Sequence, residues 1–489
     1  MKHTIADLAN QLRRDNLLEE IRGVSDPGIA ITALTIDSRE VVPGAAFVAL
    51  PGSRQDGHRY VAAATTAGAV VAIVETPQPA PIPQLVVTSA LDSLLTLSGY
   101  WYDYPARDLS LIAVTGTNGK TTSTALIRHL CNLHSPTGSL GTLGAFDAQG
   151  ATVESTAGAL TTPGPLDLQA TLAKMVSRGV SRIVMEASSH SLDQRRLDGI
   201  SFDAALFTNL TREHLDYHRD IDDYLAAKLR LLRLLAPGGA AVVNADDPAW
   251  QVIRHHPTIT FGRSPGADLR VEGEVNTASG SRFWLTGRFG SCEAELPIPG
   301  EFNVANALGA VAVALSLGYE LKEAAGALAT APQVPGRMEL LAAAPTTILR
   351  DYAHTPDALE KALNTLRPLT TGKLMVLFGC GGDRDAGKRP VMGRIAALGS
   401  DRVFLTTDNP RTEDPAAIIS QIISGAPEFP FVEILDREAA IEAAIHECRA
   451  GDTLLLAGKG HETYQIIGKE YRPFDEKAIV ASLTGGTQR

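Results

Sequence analysis

Leu109-Ser-Leu-Ile-Ala-Val-Thr-Gly-Thr-Asn-Gly-Lys-Thr-Thr122 is an apolar run, a tight glycine turn, and then a lysine and two threonines that open a helical pattern. Strand, turn and helix in that order make a phosphate cradle. Backbone N–H groups from Gly116 to Gly119 and from the helix N-terminus can surround triphosphate oxygens, Lys120 adds positive charge, and the Thr121 hydroxyl can ligate magnesium. ATP consumption is therefore the first expectation. The usual spacing, G-x-x-x-x-G-K-[ST], is not met: Val114 stands where its first glycine would fall, and the turn is the shorter Gly-Thr-Asn-Gly-Lys-Thr. The plainer alternative is a strand-to-helix turn capped by Thr121 or Thr122, which would need no lysine.

Outward from this stretch, 489 residues with 44% hydrophobic composition exceed what one core accommodates, so two or three domains are expected. The formal charge of −11 has no long basic run to offset it locally. That argues against a nucleic-acid or membrane surface and leaves small anions to be held by discrete cationic sites. Cys131, Cys292, Cys380 and Cys448 fit neither a disulfide framework nor a zinc spacing. The N-terminal Met-Lys-His-Thr-Ile-Ala-Asp-Leu carries no apolar signal core, and no segment approaches the roughly 20 apolar residues of a membrane span. A cytoplasmic protein is expected.

Residues 1–105 read as a small α/β unit, with strand signals at 46–50 and 69–74 broken by Pro43, Pro51 and a proline-rich stretch at 76–83. From 106 to 335 apolar strand candidates at 109–114, 182–185, 202–207 and 240–243 alternate with helical stretches, implying a doubly wound, P-loop-type parallel sheet. Beyond Pro332-Gln-Val-Pro-Gly-Arg337 the alternation restarts at 347–349, 374–378, 403–406, 431–434 and 453–457, a third, Rossmann-like domain over 336–489. Its Gly379-Cys-Gly-Gly-Asp-Arg384 has the wrong glycine spacing for a dinucleotide fingerprint and lies mid-domain, so NAD is set aside.

Ligands in parallel α/β sheets collect outside the carboxyl ends of the strands. There Met185 is followed by Glu186-Ala-Ser-Ser-His190, and Phe207 by Thr208-Asn-Leu-Thr-Arg-Glu-His214. Glu186 and His214 would face the cradle, where magnesium prefers oxygen ligands and one imidazole can complete the shell. Either alone suits a cap or a surface position; together, behind a phosphate loop, they favour a metal site. His190, His214 and His218 could suggest zinc, but no paired cysteines or H-E-x-x-H spacing accompany them. Lys228 lies in an amphipathic helical pattern, where a lysine is ordinarily solvated or snorkelling. In Asp408-Asn-Pro-Arg411 the proline fixes a turn and Arg411 can present its planar fork to a carboxylate; by itself the tetrapeptide is a plain Asx-Pro turn. Asn303 and Asn306 open an apolar segment and suit helix capping.

Taken together, Thr115-Gly-Thr-Asn-Gly-Lys-Thr-Thr122, Glu186-Ala-Ser-Ser-His-Ser-Leu192, Phe207-Thr-Asn-Leu, His214-Leu-Asp-Tyr-His218, Gly336-Arg-Met-Glu339, Asp351-Tyr-Ala-His-Thr-Pro356, Asp408-Asn-Pro-Arg411 and Gly458-Lys-Gly-His-Glu462 resemble the Mur ligases over nearly the whole chain. The similarity is greatest to the branch that adds meso-diaminopimelate to UDP-N-acetylmuramoyl-L-alanyl-D-glutamate in peptidoglycan synthesis. It implies three domains, for UDP-substrate, ATP and incoming amino acid in that order. It also implies a reaction in which ATP phosphorylates the D-glutamate γ-carboxylate and an amine attacks the acyl phosphate. An anion must then attack an anion: one charge pair about 4 Å apart costs roughly 4 kcal/mol at an effective dielectric near 20, about a thousandfold in rate. Lys120 and Mg2+ would offset that repulsion.

Residue by residue, the resemblance implies ATP contacts from Gly116, Thr117, Asn118, Gly119, Lys120, Thr121, Thr122, Asn303, Asn306, Arg337 and Asp351. It makes Lys228 a lysine carbamylated by carbon dioxide, which would complete a metal set with Thr121, Glu186 and His214. UDP-substrate contacts fall on Ile36, Ser38, Ser53, Arg54 and Gln55 in the first domain and on Thr161, Thr162, Ser188, Gln194 and Arg196 in the second. Amino-acid contacts fall on Arg389, Asp408, Asn409, Pro410, Arg411, Gly458 and Glu462. Two positions depart from the family pattern: Leu160 replaces an asparagine before the paired threonines, and Glu213 replaces an aspartate before the histidine. A monomer with small-molecule substrates is expected, and its domains should close to shield the acyl phosphate. Three other readings stay open: the same chemistry with L-lysine, a folylpolyglutamate-type ligase, and a nucleotide-dependent switch. The folylpolyglutamate type should lack the UDP-binding first domain. The switch would have no use for a carboxylate clamp, and no Asn-Lys-x-Asp guanine motif is present.

Overall fold

The computed structural model describes residues 3–52, 55–155, 160–215 and 217–485. Three large sheets follow one another along the chain, with two-stranded ribbons made by His3–Thr4 with Ala30–Ile31 and by Tyr464–Ile467 with Glu470–Pro473. The first has the order Leu18–Arg22, Gln84–Val87, Val71–Val74, Ala45–Val48, Ala33–Thr35; all its pairs are parallel except the edge pair made by Leu18–Arg22. The third has the order Glu339–Ala342, Thr347–Asp351, Thr453–Ala457, Leu374–Phe378, Arg402–Leu405, Val432–Glu433 and is parallel apart from its Glu339–Ala342 edge.

The central sheet is mixed rather than parallel throughout. Its ten strands place Ser110–Thr115 between Arg182–Glu186 and Phe202–Phe207, all parallel. Beyond Thr258–Gly262 it runs on into Leu269–Thr277, Gly280–Gly287 and Gly290–Leu296, which pair antiparallel with one another. That extension was not anticipated, because a search for continuous apolar runs passes over strands with one solvated face. Here Phe283 and Leu285 are buried while Trp284 between them is about half exposed.

Ser110–Thr115 shows why the centre of the sheet reads as an unbroken apolar run. Ile112 and Val114 point into one core with Leu126, Ile127 and Val311, whereas Leu111 and Ala113 point into the opposite one with Leu168, Met185 and Phe207. A strand covered on both faces needs apolar side chains at every step of its two-residue repeat. The Glu301–Ser316 helix is likewise apolar all round, with every residue from Asn306 to Ala314 buried. Asn303 and Asn306 therefore lie inside that helix, whose N-cap is Gly300, and do not cap it.

Candidate active site

The glycine turn is held from behind by the end of the neighbouring strand. The Thr208 hydroxyl donates to Asn118 O at 2.7 Å and its N–H to Thr115 O at 3.0 Å, Asn209 Oδ1 accepts from Asn118 N at 2.9 Å, and Thr117 N donates to Asn209 O at 2.7 Å. Gly116 has φ 149°, and a Cβ there would fall on the Thr208 hydroxyl; at Gly119, φ 83°, it would fall on Asn306 Oδ1. Only glycine permits both approaches. Gly119 is the N-cap of the Lys120–Cys131 helix and no side chain caps it, so neither Thr121 nor Thr122 plays the capping role of the plainer reading. The first-turn N–H groups keep their capacity for an anion.

Two lysines converge on this turn. Lys120 Nζ donates to Gly116 O at 3.0 Å and to Thr117 O at 2.8 Å, and Lys228 Nζ donates to the same Gly116 O at 2.8 Å. Lys228 is not the solvated side chain its helical pattern suggests. It is 1% exposed, and its ammonium lies 4.4 Å from the centroid of the Tyr224 ring. Burial, reinforced by the Lys120 charge, holds the Lys228 amine well below the usual lysine range. Burial also lowers Lys120, against the attraction of Glu213 and Glu186. The Tyr224 hydroxyl, 3.1 Å from Thr117 Oγ1, closes the floor.

Glu186 is buried, and Thr142 holds both its oxygens, through N–H at 2.9 Å and Oγ1 at 3.0 Å. Thr142 is a partner that the sequence pattern did not mark. Around Glu186, Thr162 Oγ1 donates to Glu186 O, Thr161 Oγ1 lies 3.2 Å from Thr142 Oγ1, and Ser188 N donates to Thr162 Oγ1. Arg196 donates to Thr162 O and, through Nε and Nη2, to Gln194 Oε1. Leu160 is about half exposed at this rim. His214, in the left-handed region at φ 57°, packs edge-on to His190 with ring centroids 4.9 Å apart.

The third domain supplies the opposite wall. Arg337 Nη2 donates to Thr121 Oγ1 at 3.2 Å while its guanidinium stacks 4.7 Å from the Tyr352 ring centroid. Asn118 Nδ2 donates to Asp357 Oδ2 at 3.0 Å. Asp351 accepts from Met338 N at 2.7 Å, and burial raises its carboxyl above the usual range. The turn, Glu186, His214, Lys228, Asn306, Arg337 and Asp351 line one cavity of about 460 Å³. Residues distant in sequence and contributed by two domains thus share one chamber with cationic, acidic and phosphate-cradling groups.

His461, on the third-domain side, stacks against Tyr352 with centroids 5.4 Å apart. Burial, with Arg337 and Arg350 nearby, lowers its imidazole to about 4. The folded protein keeps the ring neutral, whereas the unfolded chain protonates it below about pH 6.5. The stability it contributes is complete above that pH and is lost as pH falls from about 6.5 towards 4, roughly 2 kcal/mol at pH 5. Thermal unfolding of His461→Phe should therefore lose about 2 °C less between pH 7.5 and pH 5 than the parent protein. Equal losses in the two proteins would refute this account.

A second cluster lies at the carboxyl edge of the third sheet. Asn409 Nδ2 donates to Glu462 Oε2 at 2.8 Å, and Arg411, at φ 51°, donates through Nη1 to Gly382 O at 2.8 Å. Asp408 faces Gly458, where a Cβ would come within 2.6 Å of Asp408 Oδ2. The glycines of the Gly379-Cys-Gly-Gly loop serve close packing: Cβ atoms at Gly379 and Gly382 would strike Thr406 O and Pro410 O. Arg389 stands apart from the expected direct amino-acid contacts. It is fully buried, with Nη1 and Nη2 on the two Glu413 oxygens at 2.8 and 2.9 Å, Nη1 also on Gln421, and Nη2 on Gly381 O. It braces the loop behind Arg411 through both Nη atoms, while its buried Nε has no hydrogen-bond partner among the described residues.

For the first domain, Ile36 is exposed and lines a separate cavity of about 680 Å³ against the Pro165–Ser177 helix. Ser38 is half-buried and Gln55 exposed, and neither lines that cavity. Ser53 and Arg54 lie outside the described residues. Among the described residues no helix is long and apolar enough to cross a membrane.

Residues 30–94 match the Mur ligase family catalytic domain, 114–314 the Mur ligase middle domain, and 336–460 the Mur ligase glutamate ligase domain. The chain is 44% identical over 462 residues to the UDP-N-acetylmuramoyl-L-alanyl-D-glutamate--2,6-diaminopimelate ligase of Gloeobacter violaceus, covering 92% of this chain and 93% of that protein. It is 43% identical over 460 residues to the ligase of the same name from Thermosynechococcus vestitus, covering 91% and 92%. A solved structure of a UDP-N-acetylmuramoyl-L-alanyl-D-glutamate--2,6-diaminopimelate ligase superposes with a TM-score of 0.69 at 32% identity over 99% of both chains. With the phosphate turn and one wall of the cavity inside the middle-domain match, and the other wall and the third sheet inside the glutamate ligase domain match, the chain belongs to the Mur ligase family.

Proposed function

We propose that this protein is the ATP-dependent ligase that joins meso-diaminopimelate to the D-glutamate γ-carboxylate of UDP-N-acetylmuramoyl-L-alanyl-D-glutamate. The observation that carries the proposal is the shared chamber: a phosphate turn, two lysines, Glu186 and His214 on one wall, and Arg337 and Asp351 on the other. Identity of 44% to a ligase of that name supports the substrate assignment. A first-domain match at 30–94 disfavours the folylpolyglutamate reading.

In this reading residues 1–105 hold the UDP moiety, 106–335 bind ATP, and 336–489 bind the amino acid. The Gly116–Gly119 N–H groups and Lys120 would receive the phosphates, and Asn306, which lines the chamber, would stand near the adenine with the buried Asn303 bracing it from behind. Thr161, Thr162, Ser188, Gln194 and Arg196 position the peptide carboxylate. That carboxylate attacks the γ-phosphorus, ADP leaves, and the diaminopimelate amine then displaces phosphate from the acyl carbon, forming the amide. Lys120 neutralises charge on the transferring group, and Arg337 adds a second cation from across the chamber.

Magnesium suits the donor set, since Thr121 and the buried Glu186 carboxylate offer oxygen and His214 a single imidazole. Among the described residues no group of three His, Cys, Asp or Glu side chains forms a ready-made metal cluster. Substrate phosphates, water and a Lys228 carbamate would have to supply the remaining ligands. When bound, the ion supplies charge neutralisation and in-line alignment. The low affinity of Lys228 for its proton favours the neutral amine that carbon dioxide requires. We take a cytoplasmic monomer as the working form.

Product mass after incubation with the UDP-dipeptide, ATP, Mg2+ and either meso-diaminopimelate or L-lysine tests the assignment. Diaminopimelate should be incorporated in preference, and Arg411→Ala should raise its KM about 10- to 100-fold, because lysine has no distal carboxylate for the guanidinium to hold. Preferential incorporation of lysine, or phosphate release with neither amine, would overturn it.

A further inference from the structure

We propose that Lys459 is a positioning residue for amino-acid recognition: its buried ammonium locks Asn409 and orients Glu462 so that one carboxylate oxygen is presented to the ammonium of the incoming amino acid. This rests on the reading of the third-domain cluster as the amino-acid site.

Lys459 is fully buried. Its Nζ donates to Asn409 Oδ1 at 3.0 Å and to Glu462 Oε2 at 3.2 Å, and stands 3.8 Å from Asp408 Oδ1. The backbone aims it there. Gly458 and Gly460 flank it at φ 105° and 54°, and Cβ atoms at those positions would press on Asp408 Oδ2 and on the Tyr352 side chain. A lysine between two left-handed glycines, each packed against a neighbouring loop, has no outward path.

The bonds leave little freedom to Asn409. Its Oδ1 accepts from Lys459 and from Ile466 N at 2.9 Å, and its Nδ2 donates to Glu462 Oε2. With Oδ1 bound to two donors, the amide cannot flip. Oε2 of Glu462 therefore takes two donors from within the protein, whereas Oε1 takes none among the described residues. Oε1 is the oxygen left for an ammonium. The same loop sets Arg411, whose N donates to Ile466 O at 3.1 Å and whose O accepts from Gly468 N at 2.7 Å. An acceptor for ammonium and a fork for carboxylate are thus built on one frame. Without the Lys459 ammonium, which stands 3.8 Å from Asp408 and 3.2 Å from Glu462, the two carboxylates would lose the cation between them, and rotation of Glu462 would relieve their repulsion.

The test is steady-state kinetics on the full-length enzyme with the UDP-dipeptide, ATP, Mg2+ and meso-diaminopimelate, comparing Lys459→Met, Glu462→Gln and the double variant. Lys459→Met should raise KM for diaminopimelate about 10- to 100-fold, with kcat at saturation and KM for ATP changed less than about threefold. The double variant should be no worse than Glu462→Gln alone, because Lys459 acts through Glu462. Replacing both partners leaves one carboxylate, Asp408, without the ammonium instead of two, so the double variant remains informative if Lys459→Met folds poorly. An unchanged KM in Lys459→Met, a double variant whose defects multiply, or equal losses in every kinetic constant would overturn the proposal. If Glu462→Gln and Arg411→Ala also leave the diaminopimelate KM untouched, the site assignment itself fails; if they raise it and Lys459→Met does not, only the role of Lys459 fails.

Discussion

Lys120→Met should lower kcat about a thousandfold, with little change in folding. Among the described residues Lys120 Nζ is hydrogen-bonded only to Gly116 O and Thr117 O, backbone acceptors in the turn it serves, so an arriving phosphate can take over the ammonium without breaking an ion pair. The charge then lies within a few ångströms of the transferring group, inside a chamber walled by buried groups. One charge pair about 4 Å apart is worth roughly 4 kcal/mol at an effective dielectric near 20, or about three orders of magnitude in rate. Methionine keeps the length and apolar stem of the side chain and removes the charge. Stopped-time measurement of ADP release at saturating substrates checks this; a loss below tenfold would assign the neutralisation elsewhere, with Arg337 the first candidate.

Lys228→Ala should cost about 100-fold or more in kcat, and a short carboxylic acid such as acetate should restore part of it. The parent side chain is fully enclosed, donates to Gly116 O and shares that acceptor with Lys120. Two ammonium groups on one carbonyl repel, which favours losing a proton from the more deeply buried of them. Conversion of the neutral amine to a carbamate replaces that repulsion with an anion facing Lys120. Loss of activity without rescue by acetate would point to a role for Lys228 as an amine. Full activity in the alanine variant would remove Lys228 from the chemistry. Because the buried amine resists protonation while the unfolded chain does not, Lys228→Met should also be no less heat-stable than the parent at neutral pH.

The phosphate turn was legible because its chemistry is local. A strand, two glycines, a lysine and a threonine within one short segment dictate where N–H groups and charge must lie, and the parent strand needs apolar residues at every position. Strands 202–207, 374–378 and 453–457 were readable at their observed bounds for the same reason. The antiparallel extension was not, since Trp284 and its exposed neighbours break the apolar run that marks a doubly covered strand.

Residue types in the chain dictate that phosphate is bound, that the sheets are built from parallel α/β units, and that acidic and imidazole groups follow the central strands. Tertiary packing alone decided what those groups do to one another. Lys228 reads as an ordinary long cation along its helix and Arg389, by resemblance, as an amino-acid contact, yet one is enclosed beside Lys120 and the other is committed to Glu413. Lys459, a single letter between two glycines, became the buried partner of Asn409 and Glu462. The physical reason is range. Backbone conformation and apolar periodicity act over a few residues, whereas burial and charge pairing depend on groups that sequence separates by tens to hundreds of positions and only the completed fold brings within hydrogen-bonding distance.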